Sequence, residues 1–74
     1  MKTLNLVVTE NCELCEKGLA SISLLEKFFN INTVNLEDGY QEYLLRVPVL
    51  LDGTKVLDEG ILSKRTILKN YLFS

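Results

Sequence analysis

Two cysteines, Cys12 and Cys15, stand with two residues between them where the residue pattern turns from alternating to helical. A disulfide across that spacing closes a tiny loop, and loop-closure entropy then removes little freedom from the unfolded chain. The pair is therefore not the staple that holds many small domains together. A chain of 74 residues is small enough that folding hides only about 60% of its unfolded surface, so nearly every apolar segment must enter one core. The composition permits this. Hydrophobic residues make up 47% and charged residues 24%, too apolar for a disordered segment. A single domain over 1–74 is expected.

Thr3 to Thr9 reads T-L-N-L-V-V-T, alternating at first and then apolar at Val7 and Val8, the pattern of a strand entering a buried sheet. From Glu13 to Phe29 the residues Cys15, Leu19, Ile22 and Phe29, with Leu25 and Phe28 beside them, recur at steps of three, four and seven, which predicts one helical face. Glu13 and Glu16 in the first turn and Lys27 near the end suit the helix dipole, and Asn30 is the expected stop. Gly18 costs about 1 kcal/mol against alanine in a helix interior, so it is expected to serve close packing on the sheet. Ile31 to Glu37 reads as a second strand, Asp38-Gly39 as a turn and Tyr40 to Leu45 as a short helix. Val47 to Leu51 is an apolar strand interrupted by Pro48. Asp52-Gly53 signals a two-residue hairpin turn, with Thr54 to Leu57 returning. Ser63 is placed to cap a last helix, with Ile67, Leu68, Tyr71 and Leu72 on its apolar side and Lys64, Arg65 and Lys69 opposite. This order predicts an α/β fold: a four-stranded mixed sheet with two to three helices.

The position of the cysteines suggests their chemistry. Cys12 lies where the first strand ends and the helix begins, against unpaired backbone N–H groups and the positive end of the helix dipole, which stabilise a thiolate. Only the thiolate attacks a disulfide sulfur. Cys15, one turn further on, is close enough to attack the mixed disulfide that results. Cys12 is thus the expected nucleophile and Cys15 the resolving thiol. Glu10 and Glu13 oppose the helix dipole at Cys12, so a mildly reactive thiol is expected.

Other uses of two cysteines must be weighed. A structural zinc site needs four ligands, and the chain has no histidine and no third cysteine. Copper-carrier domains also begin strand, C-x-x-C, helix, but they carry a methionine where this chain has Glu10, and they end in a strand. Soft thiolates would nonetheless accept copper or zinc, so a metal or iron–sulfur carrier using Cys12 and Cys15 stands as the alternative. A redox-silent interaction module is a third reading. Eight basic residues against ten acidic ones, scattered, give a net charge of −2. That leaves no basic stripe for nucleic acid and no basic amphipathic helix for a membrane surface. The first apolar run is too short for a signal-peptide core or a membrane span, and a cytoplasmic protein is expected.

The strand, the C-x-x-C, the Val-Pro-Val with its hairpin, and the last helix together resemble the glutaredoxin branch of the thioredoxin superfamily. The segments Cys12-Glu13-Leu14-Cys15 and Arg46-Val47-Pro48-Val49-Leu50 look most like the short glutaredoxin-like proteins with a C-x-L-C motif. The resemblance covers nearly the whole chain. It implies a thioredoxin/glutaredoxin-like fold, a cis Val47–Pro48 peptide beside the sulfurs, and a thiol–disulfide oxidoreductase. It also implies a substrate strand pairing with the backbone of Val47. Val47 and Pro48 are the substrate-binding residues carried over, and no metal ligand is. The departures concern glutathione. Glu13-Leu14 replaces the usual Pro-Tyr, Glu10-Asn11 stands where a basic residue is usual, and Asp58-Glu59-Gly60 replaces a Gly-Gly and acid. Glu10, Glu13, Glu16 and Glu59 would surround an anion with like charge that Lys17 alone does not reverse. Efficient glutathione chemistry is therefore not expected, and no resident cofactor is. The expected partners are a protein or small-molecule disulfide and an unidentified reductant, with the chain acting as a monomer.

Overall fold

Alternation along β1 (Lys2–Val8) sends Leu4 and Leu6 to one face and Val7 to the other, and all three are buried. A strand covered on both faces belongs in the middle of a sheet, and β1 lies there in this computed structural model, which describes residues 2–73. The ends of the expected domain, Met1 and Ser74, lie outside the described residues. β2 (Phe29–Asn35) pairs parallel with β1, Leu4 opposite Ile31 and Val7 opposite Val34. β3 (Val49–Asp52) pairs antiparallel on the other side, Leu6 opposite Leu50, and β4 (Lys55–Glu59) pairs antiparallel with β3. The strand order is β2-β1-β3-β4. With α1 (Glu13–Ser21) and α2 (Lys64–Leu72), this is the expected α/β class, a mixed four-stranded sheet in a thioredoxin-like arrangement.

Each face of the sheet has its own cluster. Leu4, Leu6, Leu50 and Leu57 pack with Ile22, Leu25, Leu62 and Ile67 beneath the helical layer. Val7, Val49 and Leu51 pack with Leu36 on the opposite face, with Tyr40, Tyr43 and Val47 partly covering them. Burying each of these side chains contributes about 1.5–3 kcal/mol. Where the second face is uncovered it turns polar, and Asn32 donates to Asn5 across the β1–β2 pair at 3.3 Å.

The helix expected through Phe29 ends early. α1 stops at Ser21, a 3₁₀ turn spans Ser23–Lys27, and Phe29 already belongs to β2. Two i→i−3 bonds account for the tightening: the N–H of Leu25 donates to Ile22 and that of Phe28 to Leu25, both at 2.9 Å. The Ser23 hydroxyl also takes the Ala20 carbonyl at 3.0 Å, which competes with continuation of the helix. Phe28 turns out to solvent, while Phe29 is buried and meets Tyr71 edge-on, with ring centroids 5.0 Å apart. Asn30 is thus a strand residue and not a helix stop. The short helix expected over Tyr40–Leu45 is a single 3₁₀ turn, Gln41–Tyr43.

The hairpin turn is displaced by one residue. Asp52 remains in β3 opposite Lys55, and Gly53-Thr54 form the loop. Gly53 carries φ +62°, as a primed two-residue turn requires of its first position. Asp52 is held in the strand by Lys2, whose Nζ lies 3.0 Å from its carboxylate. That hydrogen bond raises the Lys2 pKa above its ordinary value. A bulge where Leu50 passes to Leu51 leaves Leu57 as the extra residue of β4. No helix among the described residues is long and apolar enough to cross a membrane.

Candidate functional site

The site begins where β1 gives way to α1. Asn11 takes a left-handed φ of 55°, a conformation asparagine tolerates better than most residues. The chain then returns to an extended Cys12, with φ −106° and ψ 103°, which occupies the N-cap of α1. Its side chain performs the capping. The backbone N–H of Cys15 donates to Cys12 Sγ at 3.1 Å, and the N–H of Glu16 donates to the Cys12 carbonyl at 3.2 Å. One of the four unpaired N–H groups at the helix start is therefore spent on a sulfur. Cys12 and Cys15 are joined as a disulfide with Cα atoms 5.2 Å apart. Cys12 is half-buried and Cys15 buried, so an incoming group reaches Cys12 first.

Gly18 follows Cys15 by three residues and so lies on the same face of α1. A Cβ there would stand 2.9 Å from Leu62 Cδ1 and 3.1 Å from Pro48 Cγ. The glycine thus serves close packing as expected, but against the Pro48 ring and the Leu62 side chain and not against the strands. Pro48 is fully buried, and the Val47–Pro48 peptide is cis. Val47 packs on the second face of the sheet. Neither its N–H nor its C=O has a hydrogen-bond partner among the described residues. The structure thus brings Pro48 to the helix face that carries Cys15, with the unpaired main chain of Val47 directly before it.

A loop from β4 to α2 closes the site. The Gly60 N–H donates to the Pro48 carbonyl at 2.9 Å and to the Arg46 carbonyl at 3.2 Å. Asp58 organises this loop, accepting from the Glu59 N–H at 2.9 Å and the Ser63 N–H at 2.8 Å. Ser63 occupies the N-cap of α2, but its hydroxyl makes no capping bond. Asp58 holds its backbone instead. Between this loop and α1 runs a groove of about 310 Å³, walled by Leu14, Lys17, Gly18 and Ser21 on one side and Gly60, Ile61 and Leu62 on the other.

The charge pattern differs from the expected one at Glu59. Arg46 donates Nε to Glu59 Oε2 at 2.6 Å, and its guanidinium also pairs with that carboxylate. The bond raises the Arg46 pKa above its ordinary value, and the guanidinium lies over the Tyr43 ring at 5.2 Å. Glu59 is therefore neutralised. Glu10, Glu13 and Glu16 are exposed and have no ion-pair partner among the described residues.

Sequence reasoning missed the groove, Asp58 and the left-handed Asn11. The groove had one signal: Ile61 is an apolar residue between Gly60 and the Ser63 cap, outside every strand or helix pattern. Asp58 could have been noticed five residues ahead of that cap. The chain matches no protein-family model and no curated protein, so the chemistry is argued from its own residues.

Proposed function

We propose that the protein is a dithiol oxidoreductase that reduces a disulfide in a polypeptide or small molecule. The observation that carries this reading is the capping of α1 by Cys12 Sγ. A thiolate at that position accepts a backbone N–H and faces the positive end of the helix, both of which favour the charged, attacking form. A serine would cap the helix as well or better. A sulfur there, paired with a second sulfur one turn on, has a chemical use.

In the first step the Cys12 thiolate attacks one sulfur of the substrate. The substrate S–S bond breaks, its other sulfur leaves as a thiolate and takes a proton from solvent, and a mixed disulfide to Cys12 forms. Cys15, having lost its proton, then attacks Cys12 Sγ. The mixed disulfide breaks, the second substrate sulfur leaves, and the Cys12–Cys15 disulfide closes. Two electrons have passed from the dithiol to the substrate, and a thiol reductant restores the dithiol by the reverse exchange. The unpaired N–H and C=O of Val47 suit an extended substrate segment, which would add as a short strand. The cytoplasm, where thiols are kept reduced, suits reduction. Uncompensated carboxylates at Glu10, Glu13 and Glu16 disfavour glutathione as the reductant.

The test is the reduction potential of the Cys12–Cys15 pair, measured by equilibrating the protein with defined thiol–disulfide buffers and counting free thiols. A two-electron transition within roughly −200 to −270 mV, the range of glutaredoxins and thioredoxins, is expected. If no disulfide forms anywhere in that range, the reading fails and metal carriage by the two thiols moves to the front.

A further inference from the structure

We propose that the groove between α1 and the β4–α2 loop selects the substrate: an extended polypeptide with a large apolar side chain beside its disulfide cysteine and a basic residue nearby. The inference rests on the dithiol reading above. Leu14 lies between the two cysteines, and Gly18 faces the Pro48 ring closely enough that a Cβ there would stand 3.1 Å from Pro48 Cγ. Gly60 is hydrogen-bonded to the Pro48 carbonyl. The groove therefore lies beside the segment that carries the two cysteines, through Leu14, and beside the Val47–Pro48 segment, through Gly60. A peptide strand lying along Val47 would send alternate side chains to one side, and the groove is the apolar recess on hand to receive one.

The walls specify what enters. Leu14, Ile61 and Leu62 are apolar, and Ile61 is 82% exposed although its neighbour Leu62 is buried. An exposed branched side chain at the rim of an apolar recess gains by being covered. The volume of about 310 Å³ lies at the bottom of the roughly 300–1,000 Å³ range of small-molecule pockets. It suits one or two side chains. A second copy of the chain seated there would also seal the dithiol from substrate.

Charge completes the description. Glu10, Glu13 and Glu16 flank the cysteines with no ion-pair partner among the described residues, and Lys17 is the one cation of the groove wall. Three carboxylates against one ammonium favour a cationic substrate segment and disfavour an anionic one.

The experiment uses pre-reduced protein in single turnovers. The probes are short peptides, each dimerised through one central cysteine, with Leu or Ser on one flank and Lys or Glu on the other. The small neutral 2-hydroxyethyl disulfide is run alongside, and released thiol is followed for each. Leu peptides are expected to react about tenfold faster than Ser peptides, the low end of discrimination by an apolar pocket. Lys peptides should outpace Glu peptides by about threefold at low salt, an advantage that shrinks as salt rises. Ile61→Ser should bring the Leu-to-Ser ratio towards unity. The ratio cancels any general loss of activity, and Ile61, being exposed, leaves the core intact. Equal rates for Leu and Ser peptides, with 2-hydroxyethyl disulfide still reduced, overturn the inference alone. So does a Leu-to-Ser ratio that Ile61→Ser leaves unchanged. If 2-hydroxyethyl disulfide and every peptide go unreduced, the dithiol reading falls and takes the inference with it.

Discussion

Replacing Gly18 with alanine sets two opposed effects against each other. In an open helix interior alanine is about 1 kcal/mol better than glycine, because glycine loses more backbone freedom on folding. At position 18 the new Cβ would lie 2.9 Å from Leu62 Cδ1 and 3.1 Å from Pro48 Cγ. The Leu62 methyl ends a flexible side chain on the wall of the groove, so turning into that space can relieve part of its clash. The Pro48 ring is stiff and fully buried. Forcing a methyl group into a filled core costs about 1–3 kcal/mol. Subtracting the helix gain leaves Gly18→Ala destabilised by about 0–2 kcal/mol, with about 1 as the central value.

Thermal and urea unfolding followed by far-UV circular dichroism measure this directly, since 1 kcal/mol shifts Tm by about 4–8 °C in a domain of this size. Ala20→Gly is the companion variant. Ala20 lies on the exposed side of α1, so its replacement should cost about 1 kcal/mol with no steric contribution. Both substitutions then destabilise, although they run in opposite directions. In a Leu62→Ala background the nearer contact is gone, and Gly18→Ala should cost less than in the parent. A stabilisation of about 1 kcal/mol by Gly18→Ala would refute the close-packing argument. Additivity with Leu62→Ala to within about 0.5 kcal/mol would show that Leu62 is not the residue in the way.

Cys12→Ser should abolish disulfide exchange, and Cys15→Ser should stop at a mixed disulfide that mass spectrometry detects; normal turnover by Cys15→Ser on a dithiol-dependent substrate would overturn this assignment of roles. Asp58→Ala removes the acceptor for the Ser63 and Glu59 N–H groups and should cost about 1–2 kcal/mol in urea unfolding. Asp58→Asn keeps an oxygen and should cost less. The Lys2 pKa is raised above 10.5 by its hydrogen bond to Asp52, so the stabilisation it gives is complete below pH 10.5 and is lost as pH rises through the higher folded value. Lys2→Met should flatten that alkaline part of the stability profile.

The sheet was legible in the residues because strand signals are local. The alternation of Leu4, Leu6 and Val7 and the apolar Val49-Leu50-Leu51 mark the buried strands without help from the rest of the chain. The end of α1 was less legible for a geometric reason. Ile22, Leu25 and Phe28 recur every three residues, which a 3₁₀ turn satisfies as well as the rows of an α-helix do. Deciding between them depends on the Ser23 hydroxyl and on Phe29 being drawn into β2 opposite Lys2, a contact 27 residues away in sequence. The hairpin loop moved by one residue for a similar reason: Asp52 answers to Lys2, and no local turn rule contains Lys2. The two cysteines and Pro48 stood out as rare residues in informative places. The groove did not, because its two walls come from distant segments that share no motif.

Gly18, Pro48 and Leu62 belong to the packing of the first sheet face and also shape the approach to the dithiol. Substitutions there should therefore move stability and substrate selection together. Cys12 is different. It lies half-buried on a helix cap, the loop its disulfide closes is small, and no apolar cluster depends on its side chain. Its oxidation and reduction can then proceed with little change in the folding free energy. In a chain this small such separation has a consequence: the reactive bond can open and close at every turnover without spending the few kcal/mol that hold the domain together. A domain whose stability depended on its one disulfide could not use that disulfide as a reagent.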